Sequence, residues 1–243
     1  MSGMQFSYEP TWHESQVGEQ IVSAMQQQLE TILPTIFGFY ILQIGRHDYS
    51  SWLNTSPIQE KILLSDEPSL KHTPYPLVLS SFNELPFAEN SIDAIYLPCL
   101  LERLEHPQVL LEELWRILLP SGTLILHGFN PWSALGLKHL LPHPHQSFPC
   151  EGRYHSLSTV KKWLSLSNFS IEGHDFFYHP PSLPKSPSHF LEKIKAHCYY
   201  PFGGLYQLIA TKHVTPATLL KPRWSIKLID QPLVAPNPQA RSR

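Results

Sequence analysis

The feature that most constrains this chain is a series of short apolar runs, each closed by a turn residue and separated by polar or helical stretches. The runs are Phe39 to Ile44, Ile62 to Leu64, Leu77 to Leu79, Ile92 to Leu97 and Thr123 to Leu126. All are too short for a helix, and Gly45, Ser65-Asp66 and Pro98 end three of them, so they read as strands buried on both faces. Between them lie helical patterns. In residues 12 to 33, Val17, Ile21, Met25, Leu29, Ile32 and Leu33 recur at three- to four-residue spacing, and Pro34 stops the run. Residues 107 to 119 gather Val109, Leu110, Leu114, Ile117 and Leu118 on one side, up to the Ser121-Gly122 break. Ser156 to Leu166 is a third helix with Ser156 as N-cap, and Tyr49 to Glu60 has room for a short one.

Phe169 to Tyr178 and Leu205 to Val214 are the last two strands. No clear helix lies between them, which suits an antiparallel, hairpin-like ending. The whole predicts an α/β, doubly wound (Rossmann-like) sheet, mostly parallel, with helices on both faces. A single domain over 1–231 is expected, with an N-terminal helix at about 12–33, a core at about 35–213, and a mobile, proline-rich tail at 232–243. In such a sheet ligands bind at the carboxyl ends of the strands, near the switch in strand order. That directs attention to Gly45 to Asp48, Asp66, Asn83, Leu97 to Cys99, and Gly128 to Trp132.

Composition removes several function classes. The apolar fraction of 42% and charged fraction of 16% suit a globular domain rather than a disordered chain. The formal charge of −2, without a dense Lys/Arg run, gives no clear nucleic-acid footprint. Cys99, Cys150 and Cys198 are widely spaced and form no CxxC pair, so free thiols in a reducing compartment are expected. No apolar run approaches the roughly 20 residues that span a bilayer, and the opening MSGMQFSYEP is not a signal peptide. A cytoplasmic protein without a membrane segment is expected.

The stretch LPFAENSIDAIYLPCLLERLEHPQVLLEELWRILLPSGTLILHGFNPW, Leu85 to Trp132, resembles the methyltransferase type 11 family. The shared parts, in order, are the Leu85-Pro86-Phe87 turn, a strand entered at Asp93, the Arg116-Ile117-Leu118-Leu119-Pro120-Ser121-Gly122 sequence, and the strand Thr123 to Leu126. The GFNPWSALGL and GGLYQLIATK segments are similar to an uncharacterised bacterial subgroup of methyltransferase-like proteins. The resemblance implies a class I fold with a seven-stranded sheet, its seventh strand antiparallel, and S-adenosyl-L-methionine as methyl donor. It implies no catalytic triad, because the cofactor carries the reactivity and the protein need only align donor and acceptor. The family's first strand usually ends in an acidic residue followed by Gly-x-Gly-x-Gly. Here the sequence is Gln43-Ile44-Gly45-Arg46-His47-Asp48-Tyr49, so one glycine remains.

The resemblance implies Gln43, Gly45, His47, Asp66, Asn83, Leu97 and Cys99 at the cofactor, while Asn130 and Trp132 are placed at the substrate by their position after the fifth strand, at the carboxyl edge. Asp66 would accept hydrogen bonds from the ribose hydroxyls, with Glu67 as the alternative. Each position also has a plainer reading. Gly45 can be a turn glycine, Asp66-Glu67-Pro68 a turn, Asn83 a solvated loop residue, Cys99 a packed thiol, and Asn130-Pro131-Trp132 a loop-stabilising turn. His139, His143 and His145 lie among prolines on no clear helix or strand, so no metal is expected. The sequence points to methyl transfer onto an unidentified acceptor. The alternative is a catalytically inactive scaffold with the methyltransferase fold. A nucleotide-dependent dehydrogenase is disfavoured because no Gly-x-Gly-x-x-Gly opens a helix after the first strand. Neither acceptor nor oligomeric state is encoded in a recognisable pattern.

Overall fold

A computed structural model describes residues 16–45, 50–66, 73–139, 152–178 and 203–214. Seven strands form one sheet: β1 Tyr40–Ile44, β2 Glu60–Ser65, β3 Leu77–Leu79, β4 Ile92–Pro98, β5 Leu118–Phe129, β6 Phe169–Phe177 and β7 Leu205–Lys212. Their order is β3-β2-β1-β4-β5-β7-β6. Strands β1 to β5 run parallel, while β7 is antiparallel to both neighbours, β5 and β6. The expected doubly wound sheet with an antiparallel last strand is therefore present. Helices α1 Gln16–Ile32, α2 Pro107–Ile117, α3 Ala134–His139 and α4 Leu157–Leu166 accompany it, with a 3₁₀ turn at Ser50–Thr55. The expected tail at 232–243 lies outside the described residues, as do Cys150, Cys198, His143 and His145.

Side chains on a strand alternate between faces, and that alternation divides the core. Ile41, Leu63, Ala94, Tyr96 and Ile125 pack with Ile21, Met25 and Leu29 of α1. Leu42, Ile44, Leu64, Ile95, Leu97, Leu124 and Leu126 pack with Leu110, Leu111, Leu114 and Ile117 of α2 and with Val160 and Leu164 of α4. The three- and four-residue spacings of these helices bring their buried residues onto one stripe. Ser156 caps α4 as expected, its Oγ accepting from the Thr159 amide at 3.2 Å.

Two features explain the recognisable block. Arg116, near the end of α2, donates to the carbonyls of Phe87 (2.9 Å) and Leu85 (3.0 Å), and pairs with Glu113 at 2.8 Å. Glu113 in turn accepts from the Leu85 amide at 2.9 Å. The Leu-Pro-Phe turn and the Arg-containing helix end are thus one hydrogen-bonded unit. Asp93, at the entry of β4, accepts from the amides of Phe39 and Tyr40 at 2.9 Å each, which fixes the start of β1.

Strand β5 is longer than its expected span of Thr123 to Leu126. It starts directly where α2 ends, because Leu118 has already turned to extended backbone at φ −71° and ψ 138°. Ile92 pairs with Leu118 and Ala94 with Thr123, so Leu119 to Gly122 bulge from the ladder. The bulge requires a glycine, since a Cβ on Gly122 would sit 2.8 Å from Leu118 Cγ and from the Leu119 carbonyl. The Pro-Ser-Gly sequence therefore marks a bulge within a strand. Helix α3 was not anticipated from the sequence; it is a short helix on the loop that follows β5.

Candidate functional site

Because β1 to β5 are parallel, the residues that follow them emerge on one edge of the sheet. Gly45, Asp66, Asn83, Cys99 and Asn130 all lie there, after β1, β2, β3, β4 and β5 respectively. The strand order reverses between β1 and β4, so the crevice at this edge opens between their ends.

Gly45 leaves β1 at φ +100°, a conformation that only glycine adopts readily. Its amide donates to the Leu64 carbonyl at 2.8 Å and ties the end of β1 to β2. Asp66 follows β2 and is exposed, so its carboxylate is open to solvent or a ligand. The preceding Ser65 carbonyl accepts from the Ser80 amide at 3.0 Å, joining β2 to the loop after β3. Asn83, on that loop, is also exposed, and its amide donates to Ser81 Oγ at 3.3 Å. His47 lies outside the described residues, together with Arg46, Asp48 and Tyr49.

The remaining candidates are set deeper. Gln43 is buried on the α1 face, in register with Tyr96 of β4. Leu97 is fully buried, and its side chain belongs to the core under α2 and α4. Cys99 is a buried thiol at φ +49°, and its amide donates to the His127 carbonyl at 3.0 Å. A non-glycine residue held in the left-handed region directly after β4 is a strained position on this edge.

Asn130 is buried and ties the turn after β5 to the start of β7. Its Nδ2 donates to the Gly203 carbonyl at 3.0 Å, its Oδ1 accepts from the Trp132 amide at 3.1 Å, and its own amide donates to Gly204 at 3.0 Å. Ser133 Oγ donates back to the Asn130 carbonyl at 2.7 Å and accepts from the Gly136 amide at 3.0 Å, which starts α3. Trp132 stands outward from this locked turn with 76% of its surface exposed.

Two polar groups at this edge were not singled out from the sequence. His127, near the end of β5, is fully buried. Its Nε2 lies 2.8 Å from Gln207 Oε1, and its Nδ1 lies 3.1 Å from the Tyr96 hydroxyl. A glutamine oxygen only accepts, so Nε2 carries the proton and Nδ1 accepts from Tyr96. Burial lowers the His127 pKa to about 4, against the opposing pull of Gln207, and the ring is neutral at physiological pH. The network continues as an aromatic row, with Tyr96 edge-on to His127 at 5.4 Å and Phe177 at 5.1 Å from it. The signal in the sequence was a polar residue on the core-facing side of an apolar strand, in Ile125-Leu126-His127.

The second group is Glu102, in the 3₁₀ turn Leu101–Arg103 after β4. Its Oε1 accepts from the Phe129 amide at 2.8 Å, linking the end of β4 to the end of β5. Its Oε2 is buried and has no hydrogen-bond partner among the described residues. Burial pushes the Glu102 carboxyl up to about 7, with the amides of Phe129 and of Glu102 itself pulling the other way. A buried polar atom left unpaired costs about 1–3 kcal/mol. A single acidic residue inside the apolar Cys99-Leu100-Leu101 approach to α2 was the legible sign.

Comparison with known proteins agrees with this architecture. Residues 55–126 match the model of the methyltransferase domain. The uncharacterised protein YafS of Escherichia coli K12 is 32% identical over 210 residues, which span 86% of this chain and 82% of YafS. Among solved structures, a SAM-dependent methyltransferase from Archaeoglobus fulgidus superposes with a TM-score of 0.58 at 20% identity, over 77% of this chain and 93% of that one. A SAM-dependent methyltransferase from Thermotoga maritima gives 0.59 at 16% identity, over 80% and 90%. A chain of the Haloferax volcanii complex between the Trm112 activator and a methyltransferase gives 0.57 at 16% identity, over 84% and 90%. The chain belongs to one family with YafS of Escherichia coli, and it has the class I methyltransferase fold, with residues 55–126 matching the methyltransferase domain.

Proposed function

We propose that the protein binds S-adenosylmethionine at the carboxyl edge of β1, β2 and β4 and transfers its methyl group to a nucleophilic acceptor. The observation that supports this reading is that Gly45, Asp66 and Cys99 directly follow β1, β2 and β4, neighbouring parallel strands around the switch in strand order. When bound, the cofactor supplies a methyl group activated on a sulfonium. The protein's part is binding, alignment and exclusion of water. Asp66 accepts hydrogen bonds from the ribose hydroxyls. Gly45 lets the backbone approach the ligand, and Asn83 reads the base from the loop after β3. Gln43, His47 and Cys99 complete the surroundings of the cofactor, and Leu97 fills the core beneath the end of β4. Asn130 sets the turn on which Trp132 is presented to the acceptor.

Two observations support a fit. The Asp66 carboxylate is exposed at the end of β2, and the Glu102 carboxyl holds an unpaired oxygen at the end of β4. The competing reading is a scaffold that keeps the fold without catalysis. It draws on His47 and Tyr49, which stand where the family's Gly-x-Gly-x-Gly turn has its second and third glycines.

Isothermal calorimetry with S-adenosylmethionine and S-adenosylhomocysteine separates the two. Binding of both, weakened about ten- to a hundredfold by Asp66→Ala, is expected from one lost charged hydrogen bond of about 1.5–3 kcal/mol. No binding at millimolar cofactor would favour the scaffold. Neutral Asp66→Ala with impaired Glu67→Ala would move the ribose contact to Glu67.

A further inference from the structure

Glu102 is a fully buried carboxyl that the proposed role of Asp66 does not use. It sits where β4 and β5 end, on the same edge as Gly45 and Asp66. One oxygen is fixed by the Phe129 amide, and the other has no partner among the described residues. Its carbonyl is fixed too, accepting from the Arg153 amide at 3.0 Å. The turn that carries it is thus held by β5 on one side and by the segment before α4 on the other. The group is rigid, pre-placed and half-used.

The groups around it do not complete it. Tyr206, on β7, lies close enough to Glu102 and to Cys99, after β4, for their negative forms to act on its phenol. The Tyr206 phenol is pushed well above its usual range, chiefly by burial and then by Glu102 and Cys99. His155, on the segment before α4, is held down mainly by burial and by Arg153, and its ring bonds the backbone of Leu101. The Arg153 side chain is exposed. Among the described residues no basic side chain acts on the Glu102 carboxyl. Among the described residues either protonation state is incomplete: the acid has a proton without an acceptor, and the carboxylate a charge without a cation.

We propose that Glu102 is the counter-charge for a bound organic cation, the sulfonium or ammonium group of S-adenosylmethionine. This inference rests on the cofactor reading above and names a further binding residue for it. Cation binding and protonation of Glu102 then compete. Near pH 7 the free protein holds about half a proton on this carboxyl, which a cation would displace.

The test is calorimetry of S-adenosylmethionine binding in buffers of different ionisation enthalpy, on the unaltered chain and on Glu102→Gln. The expected result is about half a proton more released per binding event at pH 7 by the unaltered chain than by the variant. That difference should approach one proton at pH 6 and shrink by pH 8. Relative to Glu102→Gln, the unaltered chain should lose about tenfold in affinity between pH 8 and pH 6. Release with S-adenosylhomocysteine as well as S-adenosylmethionine assigns the contact to the ammonium. Release with S-adenosylmethionine alone assigns it to the sulfonium. Both support the proposal. Carbon-13 NMR of the Glu102 carboxyl in the unaltered chain gives a readout independent of the variant's folding, and its titration should move below about pH 6 when S-adenosylmethionine is added. Binding with equal proton release in both proteins, or an unmoved carboxyl titration, overturns the role of Glu102 alone. Absence of S-adenosylmethionine binding to the unaltered chain overturns it together with the cofactor reading.

Discussion

His127 and Glu102 are buried near neighbouring strand ends and respond to pH in opposite senses. Glu102 holds its proton to about pH 7 in the folded chain, against 4.5 when unfolded. Between those values the folded state binds more protons, so stability falls as pH rises, by about 3 kcal/mol in all. His127 takes a proton only near pH 4 when folded, against 6.5 when unfolded. There the unfolded state binds more protons, so stability falls as pH drops from 6.5 to 4, by a similar amount. From about 4.5 to 6.5 the two slopes offset each other. Glu102→Gln removes one of them. Its urea-unfolding free energy should match the unaltered chain near pH 4 and exceed it by about 2–3 kcal/mol at pH 8. A variant no more stable than the parent at pH 8 would show that the carboxyl is not held protonated. Gln207 has a simpler role, accepting from His127 Nε2. Gln207→Leu should lower stability by about 1–3 kcal/mol, the cost of a buried donor without a partner. An unchanged urea midpoint would contradict the tautomer assigned to His127.

At the scale of elements, what the sequence showed and what it hid have a common physical origin. Strands β1 to β4 and helices α1, α2 and α4 were legible because each buries a regular apolar pattern that turn residues interrupt cleanly. Asp93, Arg116 and Gly122 could be recognised as parts of a familiar order. Their reasons lie in contacts made across the fold: Asp93 to the start of β1, Arg116 to the Leu85–Phe87 turn, and Gly122 under Leu118. The true start of β5 was hidden because Pro120 and Gly122 look like a strand boundary, whereas the ladder absorbs them in a bulge. Glu102 and His127 were missed for a related reason. Their importance comes from burial and from partners such as Phe129 and Gln207, and sequence spacing does not report either. Arg116→Met should release the Leu85 and Phe87 carbonyls. It should cost about 1–2 kcal/mol in urea unfolding, reduced from a buried value by the partial exposure of the pair. A cost below about 0.5 kcal/mol would mean that the turn holds itself.

At the scale of the whole molecule, the common direction of β1 to β5 places all five strand ends on one edge. The amino edge carries a different surface, with Phe37 and Phe39 each more than three-quarters exposed beside β1. The chain thus has two chemically distinct ends, and only one collects Asp66, Cys99 and Glu102. The domain is expected to be complete without residues 232–243. Deleting them should change the melting temperature by less than about 5 °C, and a larger drop would show that the tail packs. The most direct measurement of the central claim is amide hydrogen exchange with and without saturating S-adenosylmethionine. Protection should rise at 43–45, 64–66 and 97–102, on the carboxyl edge, and stay unchanged at 37–40 and 90–93, on the amino edge. No added protection at the carboxyl edge, or protection confined to the amino edge, would contradict the placement of the cofactor and the function built on it.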